Sequence, residues 1–111
     1  MAFLRVMVSR SDPSRLDEVE QYATEVLRPA LKKVPGLQYR VSGRDPESGK
    51  SFIVSIWDTR EQAEAGVQAV NPDTLDKLAT MGHFNEEKYV MEVVHEFNGR
   101  SHLERPSSQS S

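Results

Sequence analysis

The sequence predicts a single α+β domain in which the elements follow one another in the order β-α-β-β-α-β. Four segments show the alternating or β-branched pattern of strands, and two longer segments show the three-and-four apolar spacing of amphipathic helices. At 111 residues the chain has room for one domain and not for two. We take residues 1–97 as that domain and the polar, serine-rich residues 98–111 as a tail.

The N-terminal third of the chain predicts a strand followed by a helix. Residues 2–10 are rich in apolar and β-branched types on both faces of the predicted strand. Asp12 and Pro13 then form a helix start, because the Asp12 carboxylate can cap free amides and Pro13 has no N–H to leave unpaired. Pro29 lies inside this helix, and we expect its missing hydrogen bond to kink the helix near Glu25.

The rest of the domain predicts a hairpin, a second helix in two pieces and a final strand. The hairpin has two alternating runs joined by a turn rich in Asp, Pro and Gly. Two overlapping capping-box patterns mark the start of the second helix. These elements occupy residues 37–44 and 51–58 for the hairpin, 59–71 and 73–81 for the helical pieces, and 87–97 for the last strand.

This order is that of ferredoxin-like folds, in which both helices cover one face of a four-stranded antiparallel sheet. The other face should be polar in a monomer, yet every predicted strand carries large apolar residues on both faces. A monomer would therefore expose a larger apolar patch than monomers usually do. Packing against a second copy covers that patch, so we predict a homodimer that forms a dimeric α+β barrel.

Composition argues against several classes of function. The net charge is −3, and the 14 Lys and Arg residues are scattered among 17 Asp and Glu residues, which disfavours nucleic acid as a partner. The chain has no cysteine, which removes disulfides, thiolate nucleophiles and cysteine-based metal sites. No segment approaches the roughly 20 apolar residues that span a bilayer. We therefore expect no membrane partner and a cytoplasmic location.

Three short runs carry a resemblance to a known family. They are Pro35-Gly36-Leu37, Arg44-Asp45 and the segment SIWDTREQA from residue 55 to residue 63. Together with the element order over residues 2–97, they resemble the antibiotic biosynthesis monooxygenase (ABM) domain family, whose members are dimeric α+β barrels. That family includes cofactor-free oxygenases of aromatic substrates, haem-degrading enzymes and proteins without an assigned activity. The resemblance implies the fold and the dimer, and it leaves the activity open.

The sequence departs from the family pattern at two places. Many oxygenase-type relatives carry a histidine or tryptophan in the middle of the second helix, and here that position is close to Gly66. The haem-degrading branch expects a proximal histidine where this chain has Asp76 or Lys77, and an asparagine on the first strand, whereas residues 1–70 contain none. These differences disfavour haem degradation and weaken the case for an oxygenase.

Two residues of the predicted domain are candidates for the chemistry. His83 lies in the predicted loop before the last strand, and the resemblance implies that a histidine there faces the barrel cavity. A neutral imidazole could take a proton from a phenol or an enol, although a half-solvated loop histidine is the simpler interpretation. Trp57, the only tryptophan, either fills the corner between strand three and helix two or stacks on a flat substrate. Its place in a motif shared by proteins of differing activity favours the structural role.

Three further residues could contact a ligand. His95 shares a predicted strand face with several apolar residues, where it is either a hydrogen-bonded interface histidine or a substrate contact. Arg5 and Arg40 lie in the middle of predicted strands. On the cavity face they could hold a carboxylate or enolate. Cross-strand ion pairs with acids such as Glu92 are the simpler interpretation, and we favour it. The histidines lack a metal-binding spacing, so we expect no metal and no cofactor.

Three functions are compatible with these residues. The first is a cofactor-independent monooxygenase that acts on a small aromatic or enolisable substrate, with His83 as the catalytic residue and Trp57, Arg40 and His95 as substrate contacts. The second is a non-catalytic dimer that binds a small aromatic or apolar ligand. The third is a structural dimer with a filled core. We weigh the first two equally and place the third behind them.

Overall fold

A computed structural model describes residues 1–97, and the predicted tail lies outside the described residues. The strands are β1 (Phe3–Ser11), β2 (Leu37–Arg44), β3 (Lys50–Trp57) and β4 (His83–Glu92). The helices are α1 (Leu16–Tyr22), α2 (Arg28–Leu31), α3 (Arg60–Ala65) and α4 (Thr74–Thr80).

The four strands form one antiparallel sheet in the order β2-β3-β1-β4. This order is that of the ferredoxin-like fold, and it confirms the predicted class. The helices cover one face of the sheet. We call that face the inner face, and it carries the side chains of Arg5, Met7, Ser9 and Ser11 together with those of their cross-strand partners. The opposite side is the outer face.

The first helical segment begins as predicted at Asp12, whose Oδ1 accepts a hydrogen bond from the Ser14 amide at 2.9 Å. The predicted disturbance by Pro29 takes the form of a wider turn. Between α1 and α2, residues Ala23–Leu27 form a π turn in which the Arg28 amide bonds the carbonyl five residues earlier. Both proline and π turns are known causes of kinks in helices.

The second helical region confirms the predicted two pieces. Thr59 caps α3, since its Oγ1 accepts from the Gln62 amide at 3.1 Å. Gly66 ends α3 with a φ of 59° and a ψ of −149°. A backbone of this kind is essentially restricted to glycine, because a Cβ atom would clash with the adjacent main chain. A short 3-10 turn, Gly66–Ala69, then leads towards α4.

The last strand starts earlier than the sequence predicts. It runs over His83–Glu92 rather than residues 87–97, because β1 extends to Ser11 and the register pairs Ser11 with His83. A register shift between Val8 and Ser9 breaks the alternation of the β1–β4 pairing. Because of that irregularity and the charged residues after Phe84, the alternating pattern of a strand is not visible in the sequence at the start of β4.

The sheet is apolar on both faces, as predicted. On the inner face, Val34, Trp57 and Ala63 form the buried core cluster. On the outer face, one row crosses all four strands and consists of Val41, Val54, Val6 and Tyr89. Both ends of that row are exposed in the single chain. The exposed large apolar residues of the outer face are Tyr39, Val41, Phe52, Phe84, Tyr89 and Met91.

Candidate functional site

A cavity of about 260 Å³ lies between the inner face of the sheet and the helices. Its apolar wall includes Met7 and Ile53 of the sheet and Leu27, Leu31 and Leu78 from the helical segments. The space lies within one chain and is partly open to solvent. This space argues against a structural dimer with a filled core, the third of the compatible functions.

Two arginines flank one serine at one end of this cavity. Ser55 on β3 lies directly opposite Arg5 of β1 on one side and Arg40 of β2 on the other. Directly paired residues of antiparallel strands point to the same face of the sheet. Arg5, Ser55 and Arg40 therefore form a row on the inner face, and all three line the cavity.

Arg5 is held in place by the end of α3. Its Nη1 donates to the Ala63 carbonyl oxygen at 3.0 Å. The guanidinium occupies the space that a side chain at position 66 would need, because a Cβ on Gly66 would lie 1.6 Å from Nη1. Burial lowers the pKa of Arg5, the nearby Glu64 raises it, and Arg40 lowers it again. The two like charges therefore repel each other across Ser55.

Arg40 is an exposed residue of the single chain, although partial burial of its guanidinium lowers its pKa. The cross-strand ion pairs that we favoured for the two arginines are wrong. Among residues 1–97, neither arginine forms a salt bridge, and Glu92 lies opposite Phe3 instead. The acid whose charge raises the pKa of Arg5 is Glu64, and Glu64 forms its own ion pair with Lys88 at 3.1 Å.

The lining of the cavity is basic although the chain is acidic overall. Among the described residues that line it, the charged side chains are four arginines and one glutamate, in a protein whose net charge is −3. Glu20, the one acid, already pairs with Arg44 at 3.1 Å. A concave surface with one sign of charge concentrates ions of the opposite sign. The local field therefore favours a ligand that carries negative charge.

His83 lies at the other end of the cavity, as the first residue of β4 and not in a loop. The residue is 8% exposed, and its ring Nδ1 shares a hydrogen bond with Ser11 Oγ. Burial lowers the pKa of His83, and the Arg44 charge lowers it further. The imidazole is therefore held in its neutral form at neutral pH.

Trp57 is 2% exposed and belongs to the core cluster, although it also contributes to the cavity wall. Its Nε1 donates to Ser55 Oγ at 2.8 Å. This bond ties the indole to the serine that Arg5 and Arg40 flank. The structural and the ligand-lining interpretations of Trp57 are thus compatible with each other.

His95 does not reach the cavity. The sequence predicted it on the last strand, but β4 ends at Glu92 and His95 is exposed beyond it. Because β4 starts opposite Ser11 at His83, it reaches the first residue of β1, Phe3, already at Glu92. The last backbone bond of the pairing runs from the Val93 amide to the Ala2 carbonyl at 3.0 Å.

Sequence reasoning missed a group of small polar residues on the inner face. Ser9, Ser11, Ser51 and Ser55 are all buried, and Ser9 Oγ donates to Asn85 Oδ1 at 2.8 Å. The signal was present, because serines recur at even spacing in strands that are otherwise apolar. Ser51 Oγ is buried beside the cavity and has no hydrogen-bond partner within the described part of the chain.

The arrangement can bind a molecule with two different ends and move a proton. The two arginines supply cationic donors at one end, and a neutral imidazole stands at the other. Within residues 1–97, no three potential metal ligands cluster together. The same residues contain no helix that is long and apolar enough to cross a membrane.

Comparison with solved structures supports the fold. A candidate antibiotic biosynthesis monooxygenase from Chloroflexus aurantiacus is 19% identical with a TM-score of 0.62, covering 88% of this chain and 98% of the other. A dimeric ferredoxin-like protein from an uncultured marine organism is 21% identical with a TM-score of 0.62, covering 88% and 99%. The ActVA-Orf6 monooxygenase of Streptomyces coelicolor, solved with the ligand nanaomycin D, is 14% identical with a TM-score of 0.59, covering 87% and 91%.

These structures share the fold that the motif resemblance predicted, and antibiotic biosynthesis monooxygenases recur among them. At such identities the likeness establishes the fold and not the activity. No protein-family model and no curated protein matches the sequence.

Proposed function

We propose that the chain is a cofactor-independent monooxygenase that oxidises a small aromatic or enolisable substrate in the cavity between helices and sheet. The observation that supports it most is the buried, neutral imidazole of His83 on the wall of that cavity. A base whose pKa is lowered by burial stays ready to accept a proton at neutral pH.

In the proposed reaction His83 is the catalytic base. When Nδ1–H donates to Ser11 Oγ, Nε2 carries the free lone pair that can take the proton of a phenol or enol. The resulting anion gives electrons to O₂ and forms a C–O bond. Cleavage of the O–O bond then leaves one oxygen on carbon as a carbonyl and releases the other as water. A phenol that becomes a quinone supplies all four electrons, because it loses two hydrogens and gains one oxygen.

The active unit in this proposal is a homodimer that packs outer face against outer face. Its support is the row of apolar residues across the outer face, together with the dimeric ferredoxin-like protein of the same fold. Burial of such a patch is favourable by about 25 cal/mol for each Å² of apolar surface removed from water.

The test uses 1,5-dihydroxynaphthalene, which this reaction would convert with O₂ to a hydroxynaphthoquinone and water. Oxygen uptake and quinone absorbance are measured together, with an enzyme-free blank for autoxidation. We expect uptake that matches quinone formation one to one and falls at least about 100-fold in His83→Ala, as expected for loss of a general base. His95→Ala is the matched control, because that exposed histidine lies outside the cavity. Equal rates in both variants would contradict the assigned role of His83.

A non-catalytic ligand-binding dimer is the second candidate. The observation that favours it is the contact between Arg5 and Gly66, at the position where the resemblance implies a histidine or tryptophan in oxygenases. It predicts that ligands raise the melting temperature without oxygen uptake, and that His83→Ala leaves this shift unchanged.

A further inference from the structure

We propose that Arg5, Ser55 and Arg40 form a binding site for the carboxylate of a flat aromatic acid. This inference deepens the proposed function by naming the class of ligand. The aromatic character of the ligand rests on the proposed function. The anionic group of the ligand is inferred independently of it.

The geometry of the row is the first support. Arg5 and Arg40 approach from the two strands on either side of β3 and flank the same residue. A guanidinium offers five N–H donors in a fixed plane, and one of those on Arg5 is used by the Ala63 carbonyl. The other donors of Arg5 have no hydrogen-bond partner among residues 1–97. A carboxylate can accept from both guanidinium groups at once.

Charge is the second support. A cation that is partly removed from water is unfavourable unless an anion or several acceptors compensate it. Burial lowers the pKa of both arginines, and the Arg40 charge also lowers that of Arg5. Within the described residues no carboxylate pairs with either of them. A bound anion relieves both the desolvation and the mutual repulsion of the two cations.

The apolar length of the cavity identifies the rest of the ligand. From Arg5 to Ser9 the inner face advances four residues, which is about 13 Å along a strand. Met7 and Ile53 lie between these positions, and leucines of the helical segments face them. The far end is polar again, because the buried Ser51 hydroxyl lacks a partner in the described chain and His83 lies beyond it. An aromatic acid with a hydroxyl at its distal end matches this order of cationic, apolar and polar groups along the cavity.

The experiment measures binding by isothermal titration calorimetry and needs no turnover. The probes are benzoic acid, 2-naphthoic acid and anthracene-2-carboxylic acid, each compared with its primary amide. The amide keeps the shape and removes the charge. We expect at least one acid to bind about tenfold more tightly than its amide, or better, as charge-assisted hydrogen bonds imply.

Three variants locate the effect. Arg40→Gln should abolish the preference for the acid, and Arg40→Lys should retain part of it, because lysine keeps the charge without the planar fork. Arg40 is suited to this test because it is exposed in the single chain, and circular dichroism checks the fold of each variant. Lys33→Gln is the matched control, since it removes the same charge from an exposed helix end. It should leave the preference unchanged.

Three results would overturn the inference. One is that no acid binds better than its amide, and another is that Arg40→Gln keeps the preference. The third is that inorganic phosphate competes as strongly as the aromatic acids, which would indicate a general anion site. The outcome is separable from that for the oxygenase. Acid binding without oxygen uptake supports the carboxylate site and contradicts the monooxygenase. Oxygen uptake that is unaffected by Arg40→Gln, together with no preference for the acids over their amides, supports the monooxygenase and contradicts the carboxylate site.

Discussion

The guanidinium of Arg5 occupies the place that a side chain on residue 66 would take, so a glycine at position 66 leaves room for Arg5 in the cavity wall. The bond from Arg5 Nη1 to the Ala63 carbonyl, 3.0 Å long, depends on this absence of a Cβ. The glycine that weakens the case for an oxygenase is thus the residue that leaves room for Arg5.

Gly66→Ala should destabilise the protein by about 2–3 kcal/mol, because alanine at this positive φ is strained and its Cβ would collide with Nη1. Urea unfolding measures the change. Gly43→Ala is the control, since a Cβ there meets nothing within 4 Å and no positive φ is involved. Equal stability of the two variants would mean that Arg5 is not packed against α3 as described.

Ser55→Ala should cost about 1–3 kcal/mol of unfolding free energy, because the buried Trp57 Nε1 loses its acceptor. Ser51→Ala should be close to neutral, since that hydroxyl has no partner among residues 1–97 to lose. The pair is matched in strand, burial and chemistry, and chemical denaturation compares them. In the Trp57→Phe background, the effect of Ser55→Ala should shrink, and its persistence at full size would contradict the proposed bond.

Stability should fall as the pH drops below the ordinary histidine pKa of 6.5, because burial lowers the pKa of His83. The unfolded chain then binds a proton that the folded chain does not, so acid favours unfolding. The contribution of His83 is fully present above pH 6.5 and is lost as the pH falls towards the lowered pKa of the folded state. Urea unfolding from pH 5 to 8 should show a shallower slope for His83→Gln than for the native protein. An unchanged slope in His83→Gln would contradict the assignment of this pH dependence to His83.

Val41→Glu should convert the proposed dimer into a monomer, because Val41 is 47% exposed at the end of the apolar row on the outer face. A buried carboxylate without a partner is strongly unfavourable in an interface. Sedimentation velocity measures the mass. Val26→Glu is the control, because this valine is similarly exposed but lies on the helical side of the molecule. A native protein that sediments as a monomer would contradict the dimer directly.

The sequence predicts the fold well because its local signals agree with one another. The Asp12 cap, the hairpin and the two pieces of the second helix depend on neighbouring residues, and the structure confirms each of them. The start of β4 was not predictable in this way. It depends on the length and register of β1, which lies more than 70 residues earlier in the chain.

The candidate site was predictable only in part. His83 and Trp57 stood out by residue type, and both line the cavity. His95 lies beyond β4 because that strand begins and ends earlier than the sequence predicts. The error at Arg5 and Arg40 has a different cause. Alternation shows that two side chains share a face, but it cannot show whether an acid from another element reaches them. Here the nearby Glu64 forms its own ion pair with Lys88.

The π turn at Ala23–Leu27 also determines which side chains of the following helical residues face the sheet. One residue of an α-helix corresponds to about 100° of rotation about the axis. The extra residue of the wider turn therefore swings Arg28 and Leu31 round to the side on which Val19 already faces the sheet, and all three line the cavity. Without that additional residue, the second half of the helix would present a different side to the sheet. Arg28 and Leu31 would then no longer line the cavity.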